Sequence, residues 1–147
     1  MTAKLFSFFS GAGFLDLGFE AEGFQVVFVN EYLPAFLNAY KHSRQILKME
    51  SPEYGYYGGS ITDFFSEPTL GSKLASQVKQ ARGEGSLVGF IGGSPCPDFS
   101  VGGKNRGRHG ENGKLSLSYV RLICLQRPDF LVFCTWRVKR WLLLRFT

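Results

Sequence analysis

The segment Phe9-Ser-Gly-Ala-Gly-Phe-Leu-Asp-Leu-Gly-Phe-Glu20 joins an apolar run to an amphipathic stretch through a glycine turn. The preceding run, Lys4–Ser10, is apolar and aromatic, which predicts a buried strand. Phe14–Glu22 carries apolar residues at helical spacing and is followed by Gly23, a typical helix stop. Glycines at a strand end let the backbone approach a ligand closely, and the helix that follows offers free N–H groups. The segment therefore predicts a ligand-binding strand–turn–helix unit.

The rest of the chain continues the alternation of strands and helices. The predicted strands are Gln25–Asn30, Ser60–Thr62, Leu87–Gly92 and Phe130–Phe133, the predicted helices are Leu33–Leu47, Thr69–Arg82 and Lys114–Arg127, and Glu53–Gly59 and Gly93–Gly113 are predicted loops. This alternation predicts βαβ units, and hence an α/β fold with one parallel, Rossmann-like sheet and helices on both faces. The pattern ends after the fifth strand, so we assign residues 1–134 to one domain and residues 135–147 to a basic tail.

Charge and cysteine content narrow the function classes. Residues 1–100 carry seven Lys/Arg and ten Asp/Glu, whereas residues 101–147 carry ten Lys/Arg and two Asp/Glu. A basic second part favours a polyanionic partner, nucleic acid first, although a solvated basic tail has the same composition. The three cysteines form no CxxC pair, which argues against a disulfide framework and for a reducing, cytoplasmic location. No apolar run is long enough to span a membrane, and we predict no metal site.

A second motif, Gly92-Gly-Ser-Pro-Cys-Pro-Asp-Phe-Ser100, follows the fourth strand. Cys96 lies between two prolines, which restrict the backbone around it, and it sits in a long glycine-containing loop. Cys124 and Cys134 lie in apolar contexts, and we interpret them as inert buried thiols. A thiolate adds readily to soft electrophilic carbon such as C6 of a pyrimidine. Cys96 is therefore the candidate nucleophile.

The turn motif also constrains the cofactor. Glu31 follows the second strand twenty residues after Gly11, where a carboxylate accepts hydrogen bonds from ribose hydroxyls. Asp16 occupies the position at which a dinucleotide-binding GxGxxG motif has its third glycine. An adenosyl group without phosphates consequently fits better than a pyrophosphate, and S-adenosylmethionine is the predicted cofactor.

Taken in order, these motifs resemble the DNA (cytosine-5)-methyltransferases. FSGAGFLDLGFE is similar to the first signature motif of that family, GGSPCPDFS to its catalytic Pro-Cys motif, and VNEYLPAF, GSIT and ENGKLSLSYVRLI to further motifs over residues 4–133. The resemblance implies that Cys96 bonds to C6 of a cytosine flipped out of double-stranded DNA while C5 receives the methyl group, in a restriction–modification system. It implies a cofactor pocket made of Phe9, Ser10, Gly11, Ala12, Gly13, Phe14, Glu31, Tyr32, Ser60, Ile61, Pro95 and Leu115. The expected DNA contacts are Ser100, Lys104, Arg106 and Arg108.

The sequence departs from the family pattern at three places. Phe14 replaces a common glycine, and Ser60 replaces an aspartate that binds the adenine amine. After Phe133 the family has Glu-Asn-Val, whose glutamate binds the cytosine, but this chain continues with Cys134-Thr-Trp. We expect the 147-residue chain to be inactive alone and to need a second polypeptide that carries the later motifs. The tail has the character of an out-of-frame product; the alternative is an amphipathic terminal helix.

Other function classes stay open on the sequence. The chain could be a non-catalytic remnant that binds S-adenosylmethionine or DNA, or one half of a split methyltransferase. A nicotinamide oxidoreductase is disfavoured by the missing third glycine. A cysteine hydrolase would need His109 as its base, and nothing in the sequence orients that side chain.

Overall fold

The computed structural model describes residues 3–93, residues 111–133 and the short segment 142–145. The elements in chain order are β1 (Ala3–Phe8), α1 (Phe14–Ala21), β2 (Gln25–Asn30), α2 (Pro34–Ile46), β3 (Tyr56–Tyr57), α3 (Asp63–Ser66), α4 (Pro68–Gly83), β4 (Leu87–Gly92), α5 (Glu111–Gln126), β5 (Phe130–Phe133) and β6 (Leu142–Arg145). The strands form one sheet in the order β3-β2-β1-β4-β5-β6, in which β1 to β5 are parallel. The predicted α/β fold is confirmed.

The third strand is the main error of the sequence prediction. Ser60–Thr62 are not a strand; Tyr56–Tyr57, which we assigned to a loop, pair in parallel with the end of β2. Tyrosine favours a pleated, half-buried position. The buried Asn30 side chain then donates to the carbonyls of Tyr57, at 3.1 Å, and Gly59, at 2.8 Å, which fixes the chain beside β2 as it leaves the sheet. Residues 60–62 lead into α3 instead.

The sheet continues beyond the fifth strand. Leu142–Arg145 lie within the predicted tail and pair antiparallel with β5, in a register that sets Leu144 opposite Leu131 and Leu143 opposite Val132. These four residues are therefore extended and not helical. An added strand covers the edge of β5, which would otherwise present unpaired backbone groups.

Each face of the sheet is covered by two of the longer helices. The core cluster on the side of α4 and α5 is built around the rings of Phe6, Phe8 and Phe90, and that on the side of α1 and α2 includes Leu5, Val29, Leu37 and Tyr40. Right-handed crossovers explain the division. The chain moves across the sheet in one direction from β1 through β2 to β3, and in the other direction from β3 through β4 to β5, so the two sets of connecting helices pack on opposite faces. The parallel strands are buried on both sides, which accounts for their nearly continuous apolar sequences.

The strand order reverses between β1 and β4, and this places the two sequence motifs side by side. Ligands of open α/β sheets bind beyond the carboxyl ends of the strands at such a switch point. Phe8 and Gly92, the last residues of the two strands, are paired with each other. The glycine turn starts at the residue after Phe8, and the Pro-Cys motif starts at Gly92 itself. Both motifs therefore begin at the same edge of the sheet.

Candidate functional site

The glycine turn after β1 has a backbone that favours glycine at two positions. Gly11 has φ +56° and Gly13 has φ +90°, in the left-handed region that side chains disfavour. Gly13 also precedes the first residue of α1, and its N–H donates to the Ser10 carbonyl at 3.0 Å. The turn thus follows β1 in a tight, defined conformation at the N-terminus of a helix, as the sequence predicts.

Glu31 ties this turn to the end of β2. The Glu31 side chain is buried, and its Oε2 accepts a hydrogen bond from the Gly11 N–H at 2.8 Å. Its Oε1 accepts from the Leu33 N–H, also at 2.8 Å, immediately before α2. A carboxylate offers about four acceptor sites, so both oxygens can accept further hydrogen bonds. The structure brings the predicted ribose-binding carboxylate into direct contact with the glycine turn.

The aromatic and apolar residues predicted for the pocket divide into two groups. Phe9 and Leu115 are partly buried against the core cluster on the α4 and α5 side, and Ile61 is a fully buried member of that cluster. Phe9 makes an edge-to-face contact with Tyr119, with ring centroids 5.7 Å apart. By contrast, Tyr32 is 64% exposed and Phe14 is 83% exposed. Phe9 therefore has a fixed position at the sheet edge, whereas Tyr32 and Phe14 are open to a ligand or partner.

Two serines complete the described part of the predicted pocket. The Ser10 hydroxyl oxygen is buried and has no hydrogen-bond partner within the described ranges. Buried polar atoms are rarely left unpaired, so this hydroxyl can form a hydrogen bond to a ligand, to water or to a residue outside the described ranges. The Ser60 hydroxyl accepts from the Thr62 side chain at 2.8 Å and so takes part in the turn before α3. Ala12 is half-buried within the glycine turn.

The remaining predicted residues lie outside the described part of the chain. These are Pro95, the nucleophile Cys96, and the expected DNA contacts Ser100, Lys104, Arg106 and Arg108. Their roles stay predictions. Cys124, which we interpreted as buried, is exposed on α5, so that interpretation is wrong. Within the described ranges, no helix is long and apolar enough to cross a membrane.

A buried polar network beneath the glycine turn was not predicted. Asp16, in the first turn of α1, is fully buried; its carboxylate accepts from Ser7 Oγ and from the Tyr40 hydroxyl, each at 2.7 Å. Arg44 donates to the Tyr40 hydroxyl and to Glu20 Oε2, both at 2.6 Å. One signal in the sequence could have shown it: a charged residue stands among the apolar positions of α1. The partners come from two other elements, which spacing alone does not reveal.

Burial raises the pKa of Asp16 to about 6, and the hydrogen bonds from Tyr40 and Ser7 and the positive charge of Arg44 only partly offset this. The folded state therefore binds a proton more tightly than the unfolded chain does. Stability from this group is fully present below about pH 4 and is lost as the pH rises through about 6. Two pKa units correspond to about 3 kcal/mol, because one unit is about 1.4 kcal/mol.

This linkage predicts a specific pH dependence for Asp16→Asn, which does not titrate. We expect the unfolding free energy of wild type relative to D16N to fall by about 2 kcal/mol between pH 4 and pH 7. Urea unfolding of both proteins at several pH values measures this difference. A difference that is independent of pH would show that the buried carboxyl does not titrate in this range.

Comparisons with known proteins agree with the fold and the motifs. Residues 3–133 match the family model for the C-5 cytosine-specific DNA methylase. The chain is 58% identical over 130 residues to the Type II methyltransferase M.NmeDI of Neisseria meningitidis serogroup C, covering 88% of this chain and 30% of the relative. It is 38% identical over 139 residues to the DNA (cytosine-5-)-methyltransferase M.ApeKI of Aeropyrum pernix, covering 86% of this chain and 27% of the relative.

A solved structure shares the fold at low sequence identity. It is described as a DNA modification methyltransferase encoded within a prophage (E. coli); the TM-score is 0.57, the sequence identity is 21%, and the match covers 89% of this chain and 31% of the other. The chain thus spans about a third or less of these proteins. Because the family model matches nearly the whole chain, over the residues that contain both motifs, the chain belongs to the C-5 cytosine-specific DNA methylase family.

Proposed function

We propose that this chain forms the cofactor-binding and nucleophile-bearing part of a DNA (cytosine-5)-methyltransferase of a restriction–modification system. One observation carries the proposal: the turn bound by Glu31 and the loop that contains Cys96 start from Phe8 and Gly92, which are paired neighbours at the switch point of the sheet. The methyl donor and the nucleophile must meet at one cytosine, and this topology supports their meeting. The named relatives are Type II or cytosine-5 methyltransferases.

The residues at the edge of the sheet fit S-adenosylmethionine. The remaining acceptor sites of Glu31 suit ribose hydroxyls, and the ring of Phe9 suits stacking on adenine. The Ser10 hydroxyl, which has no partner among the described residues, offers a further polar contact. A dinucleotide fits less well. Its pyrophosphate would sit at the N-terminus of α1, where the Asp16 carboxyl is buried in the first helical turn. When bound, the cofactor supplies an electrophilic methyl group.

The reaction at the base then depends on Cys96. The Cys96 thiolate bonds to C6 of cytosine, which makes C5 nucleophilic towards a methyl sulfonium. Transfer of the methyl group to C5 leaves the donor as a neutral thioether. Loss of the C5 proton to water then breaks the bond between sulfur and C6, which restores the thiolate and the C5–C6 double bond. The base must leave the duplex for this attack, so the substrate is double-stranded DNA with a flipped cytosine. Lys104, Arg106 and Arg108, with Ser100, are the proposed contacts to its backbone, in the cytoplasm where the DNA lies.

We expect the 147-residue chain to show no methylation alone, because the Glu-Asn-Val sequence does not follow Phe133. A second polypeptide with the later motifs should restore activity. The test mixes the purified chain with the part of M.NmeDI that follows its matched region, and measures transfer of a radioactive methyl group to DNA. Methylation should appear only in the mixture and should disappear with Cys96→Ala.

Two outcomes would contradict this proposal. Methylation by the chain alone would show that the later motifs are dispensable. A mixture that stays active with C96A would show that Cys96 is not the nucleophile. If the mixture binds S-adenosylmethionine but forms no covalent adduct with DNA that contains 5-fluorocytosine, the chain is the non-catalytic remnant considered above. The missing Glu-Asn-Val sequence is the observation that favours this second candidate.

A further inference from the structure

A continuous chain of hydrogen bonds runs through the interior between α2, α1 and β1. Arg44 donates to the Tyr40 hydroxyl, Tyr40 donates to Asp16 Oδ2, and Ser7 donates to Asp16 Oδ1, at distances from 2.6 to 2.7 Å. Arg44 is also paired with Glu20 at 2.6 Å. Ser7, Asp16, Tyr40 and Arg44 are all buried. The hydroxyls of Ser7 and Tyr40 both donate to Asp16, and the Tyr40 hydroxyl also accepts from Arg44. The network therefore fixes one orientation of the Tyr40 ring.

The Tyr40 ring lies directly against the glycine turn. A Cβ atom on Gly13 would be 2.6 Å from both Cδ2 and Cε2 of Tyr40. The ring thus occupies the space that a side chain at this position would fill. Gly13 cannot move towards α2 while the ring is in place, and the ring cannot move away while Asp16 and Arg44 hold its hydroxyl.

The turn is therefore held at both of its glycines. Glu31 binds the Gly11 N–H from the end of β2, and Tyr40 packs on Gly13 from α2. Burial of the Asp16 carboxyl is costly, as its raised pKa indicates. An apolar residue of similar size would avoid that cost but could not orient the Tyr40 hydroxyl. The buried Asp16 carboxyl lowers stability, and its presence is explained if its hydrogen bonds are needed to fix the position of the turn.

We propose that Asp16 and Tyr40 are positioning residues that set the conformation of the Gly11–Gly13 turn, and that through the turn they set the affinity for the cofactor. The part of this inference that concerns affinity rests on the proposed function. The part that concerns the turn does not, because it is a property of the ligand-free chain. The two parts can be tested with separate measurements.

The first test is hydrogen exchange in the ligand-free, full-length chain. Tyr40→Phe keeps the ring but removes the hydroxyl, which leaves the Asp16 carboxylate and Arg44 without a shared partner. We expect backbone amides of residues 9–15 to exchange about tenfold faster in Y40F than in wild type, whereas amides of β4 should exchange at an unchanged rate. A purely structural role would instead accelerate exchange in both regions alike.

Tyr119→Phe is the matched control. Tyr119 is as deeply buried as Tyr40, but its hydroxyl has no hydrogen-bond partner among the residues that the structure describes, so Y119F breaks no described hydrogen bond. Y119F should therefore leave exchange in the turn unchanged. If Y40F does not fold, Ser7→Ala provides a milder variant, because it removes one of the two hydrogen bonds to Asp16 and leaves Tyr40 intact. An effect of Y119F equal to that of Y40F, or no faster exchange in the turn of whichever variant folds, would overturn the proposal.

The second test measures binding of S-adenosylmethionine by calorimetry. Y40F should weaken binding about tenfold, with Y119F close to wild type. If wild type itself does not bind, the proposed function fails at its cofactor, and the exchange experiment still decides the role of Asp16 and Tyr40. If wild type binds and Y40F binds equally well, the link from the turn to affinity is wrong.

Discussion

Replacing Glu31 with alanine is expected to weaken binding of S-adenosylmethionine about 100-fold. The variant loses the carboxylate proposed to accept hydrogen bonds from the ribose, and a hydrogen bond to a charged group contributes about 1.5–3 kcal/mol. It also leaves the N–H groups of Gly11 and Leu33 without their acceptor. The turn and the start of α2 would both be held less rigidly, and this further weakens binding beyond the loss of the contact between Glu31 and the ribose.

Isothermal titration of wild type, E31A and a matched control measures this effect. Glu22→Ala is a suitable control, because Glu22 is exposed just beyond α1 and lies outside the proposed pocket. Circular dichroism should show that E31A is folded under the conditions of the titration. Affinity of E31A within a factor of about three of wild type would exclude Glu31 from the cofactor site.

Replacing Phe8 with alanine is expected to lower the free energy of unfolding by about 3–5 kcal/mol, the usual cost of a large cavity in a core. Phe8 is fully buried, and its ring contacts those of four aromatic neighbours, with centroid distances from 5.0 Å to Phe90 up to 6.2 Å to Phe64. Rings that pack at several angles around one site cannot all shift to fill the space. Such a loss is a large fraction of the stability of a small domain.

Phe14→Ala is the control of equal size for this experiment. Phe14 is 83% exposed at the first position of α1, so its removal should change stability by no more than about 0.5 kcal/mol. Urea unfolding of both variants gives the two values. A loss below about 1 kcal/mol for Phe8→Ala would mean that the aromatic cluster is not the core of the fold.

The sequence was sufficient for the framework of the sheet because its strands are buried on both faces. β2, β4 and β5 have the predicted boundaries, since short runs rich in β-branched and aromatic residues between turn residues are typical of strands. The sequence does not predict β3, because a strand of two residues is too short to show an alternation of apolar and polar side chains. Its position depends on Asn30, whose side chain binds two carbonyls that follow it by 27 and 29 residues.

The residues of the candidate site also fall into those that the sequence predicts and those that it does not. The glycine turn and Glu31 were predictable, because each is marked by residue type and by its place after a strand. The network of Asp16, Tyr40 and Arg44 was not, because a hydrogen bond between residues 24 positions apart depends on how α1 and α2 pack. The sequence marks Asp16 only by the absence of a glycine, whereas the structure shows a buried carboxylate that accepts hydrogen bonds from β1 and α2.

Titration of the purified chain with S-adenosylmethionine, and separately with NADH, tests the proposed cofactor site most directly. Saturable binding of S-adenosylmethionine, without measurable binding of NADH, is the predicted result, since the sheet edge offers Glu31 to a ribose and Asp16 stands where a dinucleotide-binding motif has its third glycine. Binding of NADH in preference to S-adenosylmethionine, or binding of neither, would contradict the proposed methyltransferase site.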